Sequence, residues 1–294
     1  KKVFFWACDY SANSGEGRLG RLFIKDYKQK FKIITKRIKP NKLKILNFKY
    51  ISPFIGVFIG WVYFFRNKNF LYLNYLPYWN FLILLLLPPK SIIGPITGGA
   101  IFSKKSNDYN FRKFIFPIFY YLSGLILRIR FNKLIFSTDL LKEKLSKKNL
   151  EKSNFNYVFR AINKKKNRKK YINFLFYYRK HKNKENTFPH ELVKKILDKK
   201  YLVHIIGDKL NCIGVKNYGY IGHNKVLKLL TKTRYSIVSS ENIFSFFTID
   251  AINNNVKLLV DKETFSKIKY YKKNFIKFNF NYNNLKNLKI KKCQ

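Results

Sequence analysis

At 294 residues, 47% hydrophobic and 18% aromatic, the chain is larger than one small core requires, and its composition excludes general disorder despite 26% charged residues. Its net charge of +46, from 61 Lys and Arg against 15 Asp and Glu, points toward an anionic partner, either nucleic acid or a membrane surface. Lys, Asn, Ile, Phe and Tyr are enriched together, as A- and T-rich codons would give, and the lysines are spread along the chain, so charge alone is weak support for nucleic-acid binding.

Cys8, Cys212 and Cys293 form no CxxC pair; they are too few for a disulfide framework or a zinc site and fit a reducing cytoplasm. His181, His190, His204 and His223 lack metal-ligand spacing, so no structural metal is expected. The apolar runs Phe54–Phe65 and Trp79–Leu87 fall short of the roughly 18 to 20 residues that span a bilayer. Val3–Ala7 reads as a first strand and not as a signal peptide.

In chain order, Val3–Ala7 predicts a buried strand, Ser11–Gly20 a glycine-bearing loop, and Arg18 the neighbourhood in which a helix begins. Ile33–Thr35 and Lys44–Phe48 read as short strands, Phe54–Arg66 as a helix, and Leu71–Leu76 as a strand ending at Pro77. Ser91–Ala100 combines a short strand with a Pro/Gly turn. Phe111–Arg130 is a long apolar and basic helix, suited either to burial in the first domain or to an anionic interface. Lys133–Thr138 is a strand, with Asp139 placed to cap the next element. The stretch Leu141–Asn156, dense in Lys, Glu, Ser and Asn, sets a boundary between domains 1–150 and 151–294.

In the second domain Asn173–Tyr178 reads as a strand, Arg179–Asn186 as a polar loop, Pro189–Lys199 as a helix, and Leu202–Ile206 as a strand stopped by Gly207. Asn217–Gly219 is a strand end and Asn224–Lys232 a helix. Tyr235–Val238 is a strand closed by Ser239–Asn242, with a helix over Phe247–Asn253 and a strand over Val256–Val260 after it. Such alternation implies parallel sheets covered on both faces.

The strand ending at Val238 delivers Glu241 into a polar turn just before a helix, and ligands of open α/β sheets bind beyond the carboxyl ends of the strands. A carboxylate there suits the vicinal hydroxyls of a ribose, and the N–H groups of the turn and helix start suit phosphate oxygens; capping the helix is the competing role. Gly15-Glu16-Gly17 comes after the first strand and permits close approach of a phosphate or acceptor to the backbone. Its spacing is neither Walker A nor GxGxxG, which argues against an ATPase or a dehydrogenase. Gly94–Gly99 is a second loop of this kind, or a tight structural turn.

Tyr235–Asn253 resembles the donor-binding signature of GT-B-fold glycosyltransferases, especially the retaining family 4, glycosyl transferases group 1. The likeness extends over Tyr171–Val260. Phe174–Tyr178 with Arg179, Lys180, His181 and Lys182 is similar to the family's opening strand and the basic pair that neutralises the donor diphosphate. Leu202–Gly207 is similar to the strand and glycine that flank the base, and Asn217–His223 to the next loop.

The resemblance implies an α/β, GT-B architecture: two doubly wound Rossmann-like domains facing a cleft, with a last helix returning to the first domain. It implies catalytic roles for Glu241, Arg179 and Lys182, and donor binding by Gly15, Gly17, Gly207, Asn242, Phe244 and Asp250. Glu241 and Asp250 correspond to the two acids of the signature, one toward the ribose and one near the transferred sugar. Their spacing is one residue longer than the family pattern, Asn242 replaces a glycine, and Asp250 stands for a Glu, which leaves the two roles open to exchange.

With no histidine in the first half, an inverting reaction would need Asp9 or Glu16 as base, whereas a retaining one would rest on Arg179, Lys182 and helix N-termini. The implied enzyme is a retaining, hexosyltransferase-like one, metal-independent and without a cofactor, its donor substrate a nucleotide diphosphate sugar. Its implied acceptor is a glycan or lipid-linked molecule of bacterial envelope polysaccharide or lipopolysaccharide synthesis. An anionic membrane surface is the expected partner, with no specific nucleic acid, and the expected location is the cytoplasm, peripheral on the inner face of the plasma membrane. Two other classes fit the sequence: a non-catalytic glycan-assembly subunit with a degenerate donor site, and an RNA-binding protein drawn by charge.

Overall fold

In a computed structural model the described residues are 2–38, 48–98, 109–163, 169–180, 185, 188–238, 242–279, 285, 288 and 290. They divide into two units, the first comprising the described residues up to 98 and Asn110–Arg160, the second Tyr109 and the described residues from Ala161 on.

The first unit opens with β1 (Lys2–Trp6), whose Val3, Phe5 and Trp6 are buried. The helix α1 (Gly15–Phe31) begins at Gly15, earlier than the expected Arg18, so Gly15 and Gly17 lie in its first turn and not in a loop. Two glycines are poor helix formers, and a cap compensates: Ser14 Oγ accepts from the Gly17 N–H at 2.9 Å. Next come β2 (Ile34–Arg37), α2 (Phe48–Phe65), β3 (Asn69–Tyr72), α3 (Phe81–Leu86), β4 (Ile92–Ile93), α4 (Tyr109–Arg130) and β5 (Leu134–Ile135). The unit closes with α5 (Lys147–Glu151) and β6 (Ser153–Asn154).

Phe48, expected to end a strand, opens α2, while 44–47 of that strand lie outside the described residues. β3 stops at Tyr72, short of the expected Leu76, because Asn74 and Tyr75 turn to positive φ, 20° and 53°. Asp139 turns the chain through its main chain, its carbonyl accepting from the Lys142 N–H at 3.0 Å, and the cap residue of the next 3₁₀ turn is Leu141.

The strands are parallel in the order β2-β1-β3-β4, and a bridge between Ile96 and Phe136 carries the order on to β5 and β6. Right-handed crossovers then put α1 on one face and α2, α3 and α4 together on the other. The unit continues past residue 150 because β6 pairs with β5, Leu134 opposite Ser153, and because the Tyr157 hydroxyl donates to Asp26 Oδ2 at 2.7 Å. Among the described residues no helix is long and apolar enough to cross a membrane.

The second unit runs β7 (Ile172–Tyr178), α6 (His190–Asp198), β8 (Val203–Gly207), β9 (Val215–Asn217), α7 (His223–Leu230), β10 (Thr233–Ile237), α8 (Phe246–Asn253), β11 (Lys257–Val260), α9 (Lys262–Ser266) and β12 (Phe275–Lys277). Its strands are all parallel, in the order β12-β11-β10-β7-β8-β9. Counted from β7, this is the Rossmann order, with the direction of winding reversing between β7 and β10.

β7 is buried at six of its seven positions, as a strand covered on both faces must be. Phe174, Phe176, Leu192, Val203, Ile205 and Leu259 share its core. Both units are therefore α/β with parallel Rossmann-type sheets, the kind of domain from which GT-B enzymes are built. A closing helix returning to the first domain would lie beyond Asn279, where only Leu285, Leu288 and Ile290 are described.

Candidate functional site

In the second unit β7 and β10 are neighbours, Phe174 opposite Tyr235, and the winding reverses between them. Helices leave the two strands toward opposite faces, so this point of the carboxyl edge is where such a sheet accepts a ligand. Arg179 and Lys180 come directly after β7 and are exposed. The Lys180 N–H donates to Asp208 Oδ2 at 2.7 Å, and Asp208 also accepts from the Tyr220 hydroxyl, close to the Arg179 guanidinium. Asp208 thus ties together the segments that leave β7, β8 and β9.

Gly207 ends β8 with φ of +100°, and a Cβ there would lie 2.2 Å from the Tyr178 carbonyl oxygen. The Asp208 N–H donates to that same oxygen at 3.0 Å. Glycine is therefore required so that the ends of β7 and β8 can meet, a structural task at the edge of the site.

Beyond β10, Asn242 is exposed, while Ile243 and Phe244 are buried and Phe244 packs edge-on against Phe275. Phe244 anchors the turn, leaving Asn242 as its exposed member. Ser245 caps α8, its Oγ accepting from the Thr248 N–H at 3.3 Å. Glu241 and Lys182 lie outside the described residues, as does His181.

Asp250 sits in the second turn of α8, and its Oδ2 lies 3.0 Å from Nε2 of His223, the first residue of α7. The Asp250 side chain is 5% exposed and that of His223 25%, so the acid is enclosed and the imidazole is the part that meets solvent. The first turns of α7 and α8 carry no acidic residue and keep the partial positive charge of their amino ends. With Asp208 and Asp250 engaged in hydrogen bonds, the described residues of the edge present Arg179, Lys180, His223 and two helix amino ends, an arrangement that suits phosphate oxygens.

The first unit has its own reversal of winding, between β1 and β3. There Asp9 Oδ1 accepts from the Ser11 N–H at 2.8 Å and Oδ2 from the Ser14 hydroxyl. A Cβ on Gly17 would lie 2.3 Å from the Ser11 carbonyl oxygen, so the space beside that glycine is filled by the chain itself. Glu16 accepts from the Tyr75 N–H at 3.3 Å and from the Thr97 hydroxyl. Burial pushes its carboxyl above the usual range, these hydrogen bonds oppose the shift, and the Asp9 charge adds to it. Asn74 Nδ2 donates to the main-chain oxygens of Asp9 and Glu16, joining β3 to the α1 turn.

The structure brings Arg179, Gly207, Asn242, Phe244 and Asp250 to one sheet edge of the second unit, while Gly15 and Gly17 belong to the corresponding edge of the first. Sequence reasoning missed His223 and Asp208. The signal for Asp208 was a carboxylate directly after a strand-ending glycine. His223 carried none, since only the fold sets it against a residue 27 positions away.

The sequence matches no family model and no curated protein sequence. Among solved structures, the chain is similar to Anabaena HepE in complex with UDP, at 9% identity over 89% of this chain and 81% of that one, with a TM-score of 0.47. It is also similar to the Methanocaldococcus jannaschii UDP-GlcNAc 2-epimerase in complex with UDP-GlcNAc and UDP, at 11% identity over 88% and 82%, TM-score 0.43. A third similarity is to the E. coli heptosyltransferase WaaC with ADP, at 8% identity over 94% and 92%, TM-score 0.35.

Proposed function

We propose that the chain is a glycosyltransferase that moves a sugar from a nucleotide diphosphate donor to a glycan or lipid-linked acceptor in envelope polysaccharide or lipopolysaccharide synthesis, working at the cytoplasmic surface of a membrane. One observation carries the reading: Arg179 and the Asn242–Ser245 turn flank the winding reversal of a Rossmann-order sheet, on adjacent strands β7 and β10. That placement sets a guanidinium and the amino end of α8 where the diphosphate of a nucleotide lies in such folds.

In the proposed reaction the bond from the sugar C1 to the diphosphate oxygen breaks, and a bond to an acceptor hydroxyl forms. The hydroxyl proton passes to the departing diphosphate. Arg179, Lys182 and the helix amino ends stabilise the charge that develops on the leaving group, without a metal ion. Glu241 supplies the carboxylate of the turn, and Asp250 acts through His223. The resemblance to family 4 favours retention of configuration, which nuclear magnetic resonance of the product anomer tests.

A second reading draws on the enclosure of Asp250 against His223: a non-catalytic subunit that binds the donor without turning it over. Calorimetric titration with nucleoside diphosphates and their sugars, combined with product analysis, separates the two. Binding with transfer supports the enzyme, binding without transfer supports the subunit, and absence of binding removes both.

A further inference from the structure

We propose that the α2–α3–α4 face of the first unit docks on an anionic lipid bilayer, lying in its interface. This names the surface behind the membrane location in the functional reading and does not depend on donor chemistry.

The helix α4 carries two apolar faces. Phe116, Tyr120, Ser123 and Leu127, spaced by four, three and four residues, are buried against the unit. On the opposite side Phe111, Phe114, Ile118 and Tyr121, spaced by three, four and three residues, and Ile129, two turns further on, are exposed, Phe114, Tyr121 and Ile129 by 66%, 67% and 77%. A helix apolar on both sides is ordinarily enclosed, and this one presents its second side outward.

The exposed strip continues onto its neighbours. Phe81 packs on Phe119 at 5.4 Å, and Arg130 donates to the Leu84 carbonyl at 3.0 Å, joining α3 to α4. Trp61 Nε1 donates to the Leu86 carbonyl at 2.8 Å, joining α2 to α3. Leu82, Leu85 and Leu86 of α3 are exposed, as are Phe54, Phe58 and Phe65 of α2. Exposed apolar side chains on three adjoining helices are the mark of a surface that meets a partner or a membrane.

Charge selects the occupant. Residues 27–138 hold nineteen Lys and Arg and a single carboxylate, Asp108; α2, α3 and α4 contain none. Lys113 and Arg128 of α4 are exposed. A second copy would bring like charges together, whereas a bilayer with anionic headgroups accepts apolar side chains into its boundary and pairs with the cations around them. No described helix crosses a membrane, so the contact is one of surface insertion.

The test is co-sedimentation of the full chain with vesicles of phosphatidylcholine alone and of phosphatidylcholine with phosphatidylglycerol. Retention on the anionic vesicles is expected, weakened by salt. The triple variant Phe114→Ser, Ile118→Ser, Tyr121→Ser should lower it at least tenfold, and Lys113→Gln with Arg128→Gln about fivefold per charge, both with unchanged circular dichroism. Donor binding measured on the same variants should stay constant, which separates this outcome from any failure of the donor reading. Equal retention by wild type and the triple variant, absence of retention on anionic vesicles, or a dimer or RNA complex abolished by the triple variant without vesicle binding would overturn the proposal.

Discussion

Asp250 Oδ2 lies 3.0 Å from His223 Nε2, an enclosed acid holding an imidazole that opens the neighbouring helix at the carboxyl edge of the second sheet. Of the pair, the imidazole is the part that meets solvent. Asp250→Ala leaves a partner group inside the fold and is expected to lower stability by about 1–3 kcal/mol. His223→Ala takes the imidazole away from the enclosed Asp250 carboxylate, is expected to lower stability by about 1–3 kcal/mol as well, and should weaken nucleoside diphosphate binding about tenfold. The two effects on binding should be non-additive in a double-mutant cycle measured by calorimetry.

Two of the positive-φ glycines, Gly207 and Gly219, differ in kind. Gly207→Ala puts a Cβ 2.2 Å from a backbone oxygen at φ of +100°, whereas Gly219, at φ of +67°, has nothing within 4 Å of its Cβ position. Chemical denaturation should show Gly207→Ala losing more than about 2 kcal/mol and Gly219→Ala about 1 kcal/mol, the cost of a left-handed backbone alone.

His204 is held neutral. Burial, helped by the nearby Lys216, lowers it to about 4, and its Nδ1 pairs with the Tyr218 hydroxyl at 2.8 Å. As pH falls below the ordinary histidine value near 6.5, the unfolded chain takes up a proton that the folded one refuses, so stability is present above about 6.5 and is lost down to about 4. The loss is on the order of 3 kcal/mol at ~1.4 kcal/mol per pH unit. Melting temperatures of wild type and His204→Phe should diverge across that window, with the variant flatter.

Glu16 has the opposite sign. Its carboxyl is raised in the fold, chiefly by burial, so the unfolded chain ionises first, and stability is lost as pH rises from the ordinary carboxylate value through the raised one. Glu16→Gln keeps the hydrogen-bonding shape and is expected to be as stable as wild type at low pH and more stable at neutral pH. A melting series from pH 4 to 8 measures this.

In the second unit β7, β8 and β11 were legible as apolar runs closed by polar residues, whereas β9, a short Val-Lys-Asn strand expected at Asn217–Gly219, and β12, inside a Lys- and Asn-rich tail, escaped the pattern. In the first unit the start of α1 was misread because two glycines argue locally against a helix, while the Asp9–Ser14–Gly17 linkage that starts it is spread over the preceding turn. Likewise Leu71–Leu76 reads as continuous strand, and the left-handed Asn74 and Tyr75 that end it are set by contacts with Asp9 and Glu16 more than fifty residues away in sequence. At the site, Asp250 and Arg179 stand out as an acid within a helix and an arginine directly after a strand. Partners such as His223 and Asp208 emerge only once the sheet order is known.

The most direct measurement of the central claim is a thermal-shift titration of the full chain with nucleoside diphosphates and their sugars, repeated on Arg179→Ala. Arg179 is exposed, so the variant should fold as wild type does. Stabilisation by several degrees with at least one nucleotide at about a hundredfold excess over Kd, lost in the variant, is the result expected. No shift with any of them, or an equal shift in Arg179→Ala, would contradict the placement of a donor diphosphate at the β7–β10 edge.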